Sequence, residues 1–140
     1  DGKGTVVEIT GLKDASPVIE RHRGFHEVMK NYPGIKVVTL DSNWKMERAQ
    51  ELMKQYLDKG GHADGVFGHS DLGAIGAFLE AERRGIDKQM LIVGIDGLPG
   101  EWEGVDRVKR GQFAASYVYP TQGEKIMELA MNILQGKPYK

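Results

Sequence analysis

Short β-branched runs alternate along the chain with longer stretches whose apolar residues recur every three or four positions. Thr5-Val6-Val7-Glu8-Ile9-Thr10 predicts a strand. Ser16-Pro17 then reads as an N-cap with proline at the first helical position. Val18, Ile19, His22, Phe25 and Met29 fall on one face of that helix, which Pro33-Gly34 stops. Ile35 to Leu40 predicts a second strand. Met46, Ala49, Met53, Tyr56 and Leu57 give the second helix its apolar stripe, and Gly60-Gly61 ends it. Gly65-Val66-Phe67 predicts a third strand. Leu72 to Arg84 predicts a helix with Ile75, Phe78 and Leu79 inward and Gly85 just past its end. Met90 to Ile95, the most apolar run, predicts the fourth strand. A shorter helix over Glu101–Lys109 and a strand over Phe113–Val118 follow. Thr121-Gln122-Gly123-Glu124 reads as a capping box opening a last helix, with Ile126, Leu129, Ala130 and Ile133 inward.

Strands alternating with helices imply a parallel sheet covered on both faces. The expected fold is α/β: a three-layer α/β/α Rossmann-like lobe with a mainly parallel five-stranded sheet, residues 1–140 forming a single lobe. In open parallel sheets, ligands bind beyond the carboxyl ends of the strands. The loops placed there are Gly11–Ser16, Asp41–Trp44, Gly68–Asp71, Asp96–Trp102 and Tyr119–Gln122.

Composition narrows the function classes. A length of 140 residues suits one domain, and 40% hydrophobic with 28% charged residues is ordinary for a globular one. Lys and Arg number 19 against 20 Asp and Glu, a net charge of −1, so the basic excess of a nucleic-acid scaffold is missing. No apolar run approaches the ~18 residues of a membrane span. With no cysteine, disulfides, thiolate metal sites and Cys nucleophiles are ruled out. The chain opens Asp1-Gly2-Lys3-Gly4 without an initiator Met and closes on Gln135-Gly136-Lys137-Pro138-Tyr139-Lys140. We expect a piece of a longer protein, so a missing targeting signal decides nothing about compartment.

The reactive motifs fail on inspection. Neither a phosphate-binding Gly-x-x-x-x-Gly-Lys-Ser/Thr nor a Gly-x-Gly-x-x-Gly occurs. Gly68-His69-Ser70-Asp71-Leu72-Gly73 resembles a serine-hydrolase elbow, but its second glycine falls one place late. His22 and His26 stand at i and i+4 on a predicted helix, a zinc-compatible spacing, but no third ligand is evident; the expectation is two ordinary histidines and no metal. No catalytic group and no cofactor is assigned.

What remains is a constellation without a reaction. Arg21 lies in the first turns of the helix after strand one, and Trp44 at the start of the second helix. Ser70 and Asp71 open the third, Asp96 ends strand four, and Tyr119 ends strand five. An arginine fork donates to hydroxyls, an aspartate accepts from two of them, and an aromatic face covers the apolar side of a ring. That set suits a polyhydroxylated small molecule, bound rather than turned over. Each residue also has a plainer reading: a turn for Asp96, a solvated charge for Arg21, a hydrophobic cap for Trp44, an N-cap for Ser70 or Asp71, core for Tyr119. Trp102 reads as surface or interdomain packing. The plainer readings leave the shared sheet edge unexplained.

These residues carry a family resemblance. The chain resembles the C-terminal lobe of type I periplasmic sugar-binding proteins, the family of ribose-binding protein, over nearly all its length. The match runs through Val6-Val7-Glu8-Ile9-Thr10-Gly11, Arg21-His22-Arg23-Gly24-Phe25, Asn43-Trp44-Lys45-Met46-Glu47-Arg48-Ala49, Val66-Phe67-Gly68-His69-Ser70-Asp71-Leu72-Gly73-Ala74, Val93-Gly94-Ile95-Asp96-Gly97 and Gly111-Gln112-Phe113-Ala114-Ala115-Ser116. The resemblance places the family's ligand arginine on Arg21, its stacking aromatic on Trp44, and its aspartate on Asp96. Its Asn-Asp pair falls on Ser70-Asp71 and its Gln on Tyr119, two departures that bear on which sugar fits. Asp96-Gly97-Leu98-Pro99-Gly100-Glu101 and Ala115 to Thr121 resemble periplasmic sensor regions of Bacteroidetes hybrid two-component systems. The resemblance implies a sugar receptor closing around its ligand with a missing N-terminal lobe. It also implies a periplasmic location, a membrane permease or histidine kinase as partner, and no nucleic acid bound by this segment. A LacI-type regulator, cytoplasmic and with the same effector fold, is the alternative.

Overall fold

The computed structural model describes residues 2–138. Its elements run β1 (Lys3–Thr10), α1 (Ser16–Met29), β2 (Gly34–Asp41), α2 (Met46–Asp58), β3 (Gly65–Gly68) and α3 (Asp71–Arg83). A 3₁₀ turn (Asp87–Gln89), β4 (Leu91–Asp96), α4 (Gly104–Lys109), β5 (Ala115–Val118) and α5 (Gly123–Leu134) complete the chain. The five strands form one sheet in the order β2-β1-β3-β4-β5, and every pairing is parallel. The expected α/β class is observed, with the sheet wholly rather than mainly parallel.

Alternation along β1 assigns the two faces. Val7 and Ile9 are buried in one cluster with Ala49 and Met53 of α2 and Ala74, Ile75 and Phe78 of α3. Arg107 of α4 joins that side by lying over the Phe78 ring. Glu8 points the other way, in register with Thr39 on β2 and Phe67 on β3. There α1 covers the sheet, Phe25 stacking on Phe67 with centroids 4.7 Å apart.

Four local expectations are corrected. Ala15, not Ser16, is the N-cap of α1 and makes no side-chain cap; Pro17 still sits in the first turn. Ile19, grouped with Val18 on the apolar face of α1, is exposed while Val18 is buried. The Thr121–Glu124 capping box does not form: Gln122 is the N-cap of α5, in a left-handed conformation (φ 56°), without a side-chain cap. The apolar stripe of α5 is also uncovered, with Ile126, Leu129 and Ile133 exposed and no residue of the helix buried. Periodicity finds an amphipathic helix; only a neighbouring surface buries it, and the described residues supply none.

Candidate functional site

All parallel strands end on one side of the sheet, so the loops after β1, β2, β3, β4 and β5 share one edge. Arg21 reaches this edge from the second turn of α1. One of its NH groups donates to the backbone carbonyl of His69, just past the end of β3. Another lies 3.8 Å from a carboxylate oxygen of Asp96. Its guanidinium sits 4.8 Å from the Tyr119 ring centre and 5.7 Å from that of Trp44. The Arg21 side chain is only 13% exposed, so it is a held group and not a solvated charge.

Trp44 owes its place to backbone geometry. Asn43 and Trp44 are consecutive left-handed residues, with φ of 54° and 65°. This turn lays the indole across Gly11 at the end of β1, so close that a Cβ at position 11 would overlap the ring. Asp96 is likewise strained (φ 126°), and its carbonyl accepts from the Tyr119 amide at 3.2 Å, tying the ends of β4 and β5 together. Non-glycine residues held at positive φ cost on the order of 1–3 kcal/mol and cluster at ligand sites. Burial pushes the Asp96 carboxyl up, Arg21 opposes that, and the Asp71 charge adds to it. Asp96 remains 28% exposed and Tyr119 half-exposed, so both face outward.

The structure therefore brings together Arg21, Trp44, Asp96 and Tyr119, and engages the neighbouring Ser70 and Asp71 side chains in local bonds. The Ser70 hydroxyl accepts from the Gly73 amide at 3.1 Å and caps α3, the plainer of its two readings. Asp71 is fully buried. Its carboxylate accepts from the Leu98 amide at 3.0 Å and the Ser116 hydroxyl at 2.5 Å, bracing the β4–α4 loop against β5. A Cβ at Gly104 would overlap that carboxylate, which is why α4 begins on glycine. Asp71 supports the edge from beneath. Trp102 is half-exposed with Arg110 stacked 3.9 Å from its ring centre, on the surface as expected.

Sequence reasoning missed two things. One is the His69 carbonyl that holds Arg21; backbone acceptors leave no trace in a sequence. The other lies behind the edge, on the α1 face. Glu8 is fully buried in the central region of the sheet, and His22 Nδ1, His26 Nε2 and His69 Nε2 approach its carboxylate at 3.0, 3.0 and 2.9 Å. The Thr39 hydroxyl donates to it at 2.9 Å. Burial alone would raise the Glu8 carboxyl, but the bonds from His69, His26 and Thr39, with His22 nearby, hold it at about 2. The available signal was a carboxylate in mid-strand within an otherwise apolar run.

Against known proteins, a family model described as a periplasmic binding protein domain matches residues 1–138. The chain belongs to the periplasmic binding protein family. This periplasmic binding protein domain is 39% identical over 117 residues to a xylitol-binding protein of Mycolicibacterium smegmatis, covering 80% of this chain and 32% of the relative. It is 31% identical over 142 residues to a ribose import binding protein of Bacillus subtilis, covering 97% of this chain and 44% of the relative. Among solved structures, the fructose-binding periplasmic domain of a hybrid two-component system superposes with a TM-score of 0.91 at 40% identity. That match covers 99% of this chain and 47% of the other. The chain thus spans about a third to a half of the relatives it matches.

Proposed function

We propose that this chain is one lobe of a two-lobed receptor that binds a small sugar or related polyol in the cleft between the lobes. The observation that carries the reading is the Arg21 guanidinium set between Tyr119 and Trp44 with Asp96 beside it. The aromatic planes suit the apolar face of a sugar ring, while the fork and the carboxylate suit its hydroxyls. The group lies on an open edge, which fits half a cleft. Relatives named for xylitol, ribose and fructose agree with that ligand class.

A partner lobe is also supported by α5. Ile126, Met127, Leu129, Met131, Ile133 and Leu134 are all exposed on one helix that follows the site directly. Contiguous apolar surface of this kind marks an interaction site. We assign it to the N-terminal lobe that this chain lacks. Closure then follows from contacts made only in the closed state, which is how ligand shifts the equilibrium.

The protein binds without turnover in this reading. The 40% identity to a two-component sensor domain favours a periplasmic sensor of a histidine kinase, with a transport receptor that hands sugar to a membrane permease as the near variant. A second reading rests on one relative: a ribose operon repressor of Halalkalibacterium halodurans is 31% identical over 96 residues, which fits the effector domain of a cytoplasmic regulator. Calorimetry with a panel of monosaccharides and polyols tests the proposal. The intact two-lobed protein is expected to bind one of them, and the isolated 140-residue chain to bind it weakly or undetectably. Tight binding by the isolated chain overturns the half-site reading. No binding by the intact protein overturns the ligand class.

A further inference from the structure

Behind the sugar-facing edge, the α1 face holds a cluster that the proposed function does not use. Glu8, His22 and His26 each offer a ligand-type atom, all within 4.8 Å of one another, and Glu8 Oε2 lies 3.1 Å from His22 Nδ1 and 3.0 Å from His26 Nε2. We propose that Glu8, His22 and His26 form a binding site for a divalent transition-metal ion of the zinc, nickel or copper class.

Placement comes from the fold. His22 and His26 are one helical turn apart on α1, their rings 4.1 Å apart, and both point down onto β1. Glu8 meets them from the strand beneath, each ring nitrogen 3.0 Å from one of its oxygens. Nitrogen and oxygen ligands about 2.0–2.2 Å from a tetrahedral ion stand a little over 3 Å apart, so the two nitrogen–oxygen sides of this triangle, 3.1 and 3.0 Å to Glu8 Oε2, are near coordination size before any ion enters. Two imidazoles and one carboxylate, without thiolate, select borderline transition metals over calcium or magnesium. Three protein ligands leave a position for water.

The surroundings are those of a supported ligand set. The Glu8 oxygens also accept from His69 Nε2 and the Thr39 hydroxyl, which fix the carboxylate's orientation. An ionised carboxylate only accepts, so His69 carries its proton on Nε2. Its Nδ1 is then a buried atom with no hydrogen-bond partner. Among the described residues, no arginine or lysine pairs with this deeply buried carboxylate, and ring and hydroxyl groups are its side-chain hydrogen-bond partners. An ion would supply the missing positive charge. On binding, the nitrogen of His22 and of His26 that faces Glu8 would present its lone pair, a neutral ring carrying its one proton on the other nitrogen and a protonated ring losing one proton to solvent. The side chains of His22 and His26 are 44% and 36% exposed, so an ion reaches the site without opening the core.

The test uses the intact protein, produced without a polyhistidine tag and stripped with chelator. Cobalt(II) chloride titrated into it is expected to give a saturable visible d–d band, and zinc chloride to raise Tm by roughly 3 °C or more. His22→Gln and His26→Gln alter half-exposed side chains, so both variants fold; each is expected to weaken cobalt binding at least about tenfold and to abolish the zinc shift. His62→Gln controls for the surface pair His62–Asp64, whose atoms lie 2.9 Å apart, and is expected to bind as the wild type does. Absence of a band and of a thermal shift in the wild type overturns the site. So does unchanged binding in His22→Gln and His26→Gln, or its loss in His62→Gln.

Discussion

The Arg21 guanidinium lies 4.8 Å from the centre of the Tyr119 ring, joining the first helix to the end of the last strand. This stack spans the sheet edge and sets the position of the charge at its middle. Both residues are expected to carry ligand affinity. In the intact protein, Tyr119→Ala removes the stacking surface, and Arg21→Lys keeps the charge but loses the planar fork. Each is expected to weaken sugar binding by about 1–2 kcal/mol, read by calorimetry. Wild-type affinity in both would remove this pair from the site.

Asp96 and Asp71 are expected to behave oppositely. Asp96→Ala takes an outward acceptor from the edge and is expected to lose at least ~2 kcal/mol of sugar affinity with little change in folding stability. Asp71→Ala leaves the partly buried Leu98 amide and Ser116 hydroxyl without their acceptor and is expected to cost about 1–3 kcal/mol in chemical denaturation. If Asp71→Ala unfolds like the wild type, the bracing role is wrong.

Gly11→Ala probes the indole position. The added methyl meets the ring of Trp44, which must swing off the end of β1. The expected result is a shift in tryptophan fluorescence together with weaker sugar binding. With Trp102 as the one other tryptophan, Trp102→Phe isolates the Trp44 signal. An unchanged spectrum in Gly11→Ala on that background would show that Trp44 does not rest on Gly11.

Acid stability should follow Glu80. Its carboxylate accepts from Arg83 at 2.7 and 2.8 Å and from Arg84 at 2.6 Å. The Arg83 bonds foremost hold it at about 2, below the usual 4.5, against burial that would raise it. As pH falls below 4.5 the unfolded chain takes up this proton first, so the contribution is full above that value and is lost on the way down to about 2. Glu80→Gln should be less stable at neutral pH and should show a shallower loss of stability between those limits. Parallel pH curves for the two proteins would refute the assignment.

The order and type of every strand and long helix were legible in the sequence, because burial on a parallel sheet imposes apolar runs and helical burial imposes a three-to-four residue repeat. The edge was legible for the same reason: parallel strands must all end on one side, so Arg21, Trp44, Asp96 and Tyr119 had to share it. Tertiary structure decided which polar groups face out. Asp71 and Asp96 look alike in sequence, yet one is fully buried against the Leu98 amide and the Ser116 hydroxyl and the other ends β4 beside Arg21 at the edge, because different neighbours meet each. Glu8 reads as a polar position in a strand until α1 is laid over it and two histidines close on its carboxylate. The stripe of α5 reads as packed, and no surface among the described residues covers it. Periodicity records that a face is apolar or polar; what meets that face is set by contacts between segments distant in the chain, which only the folded arrangement fixes.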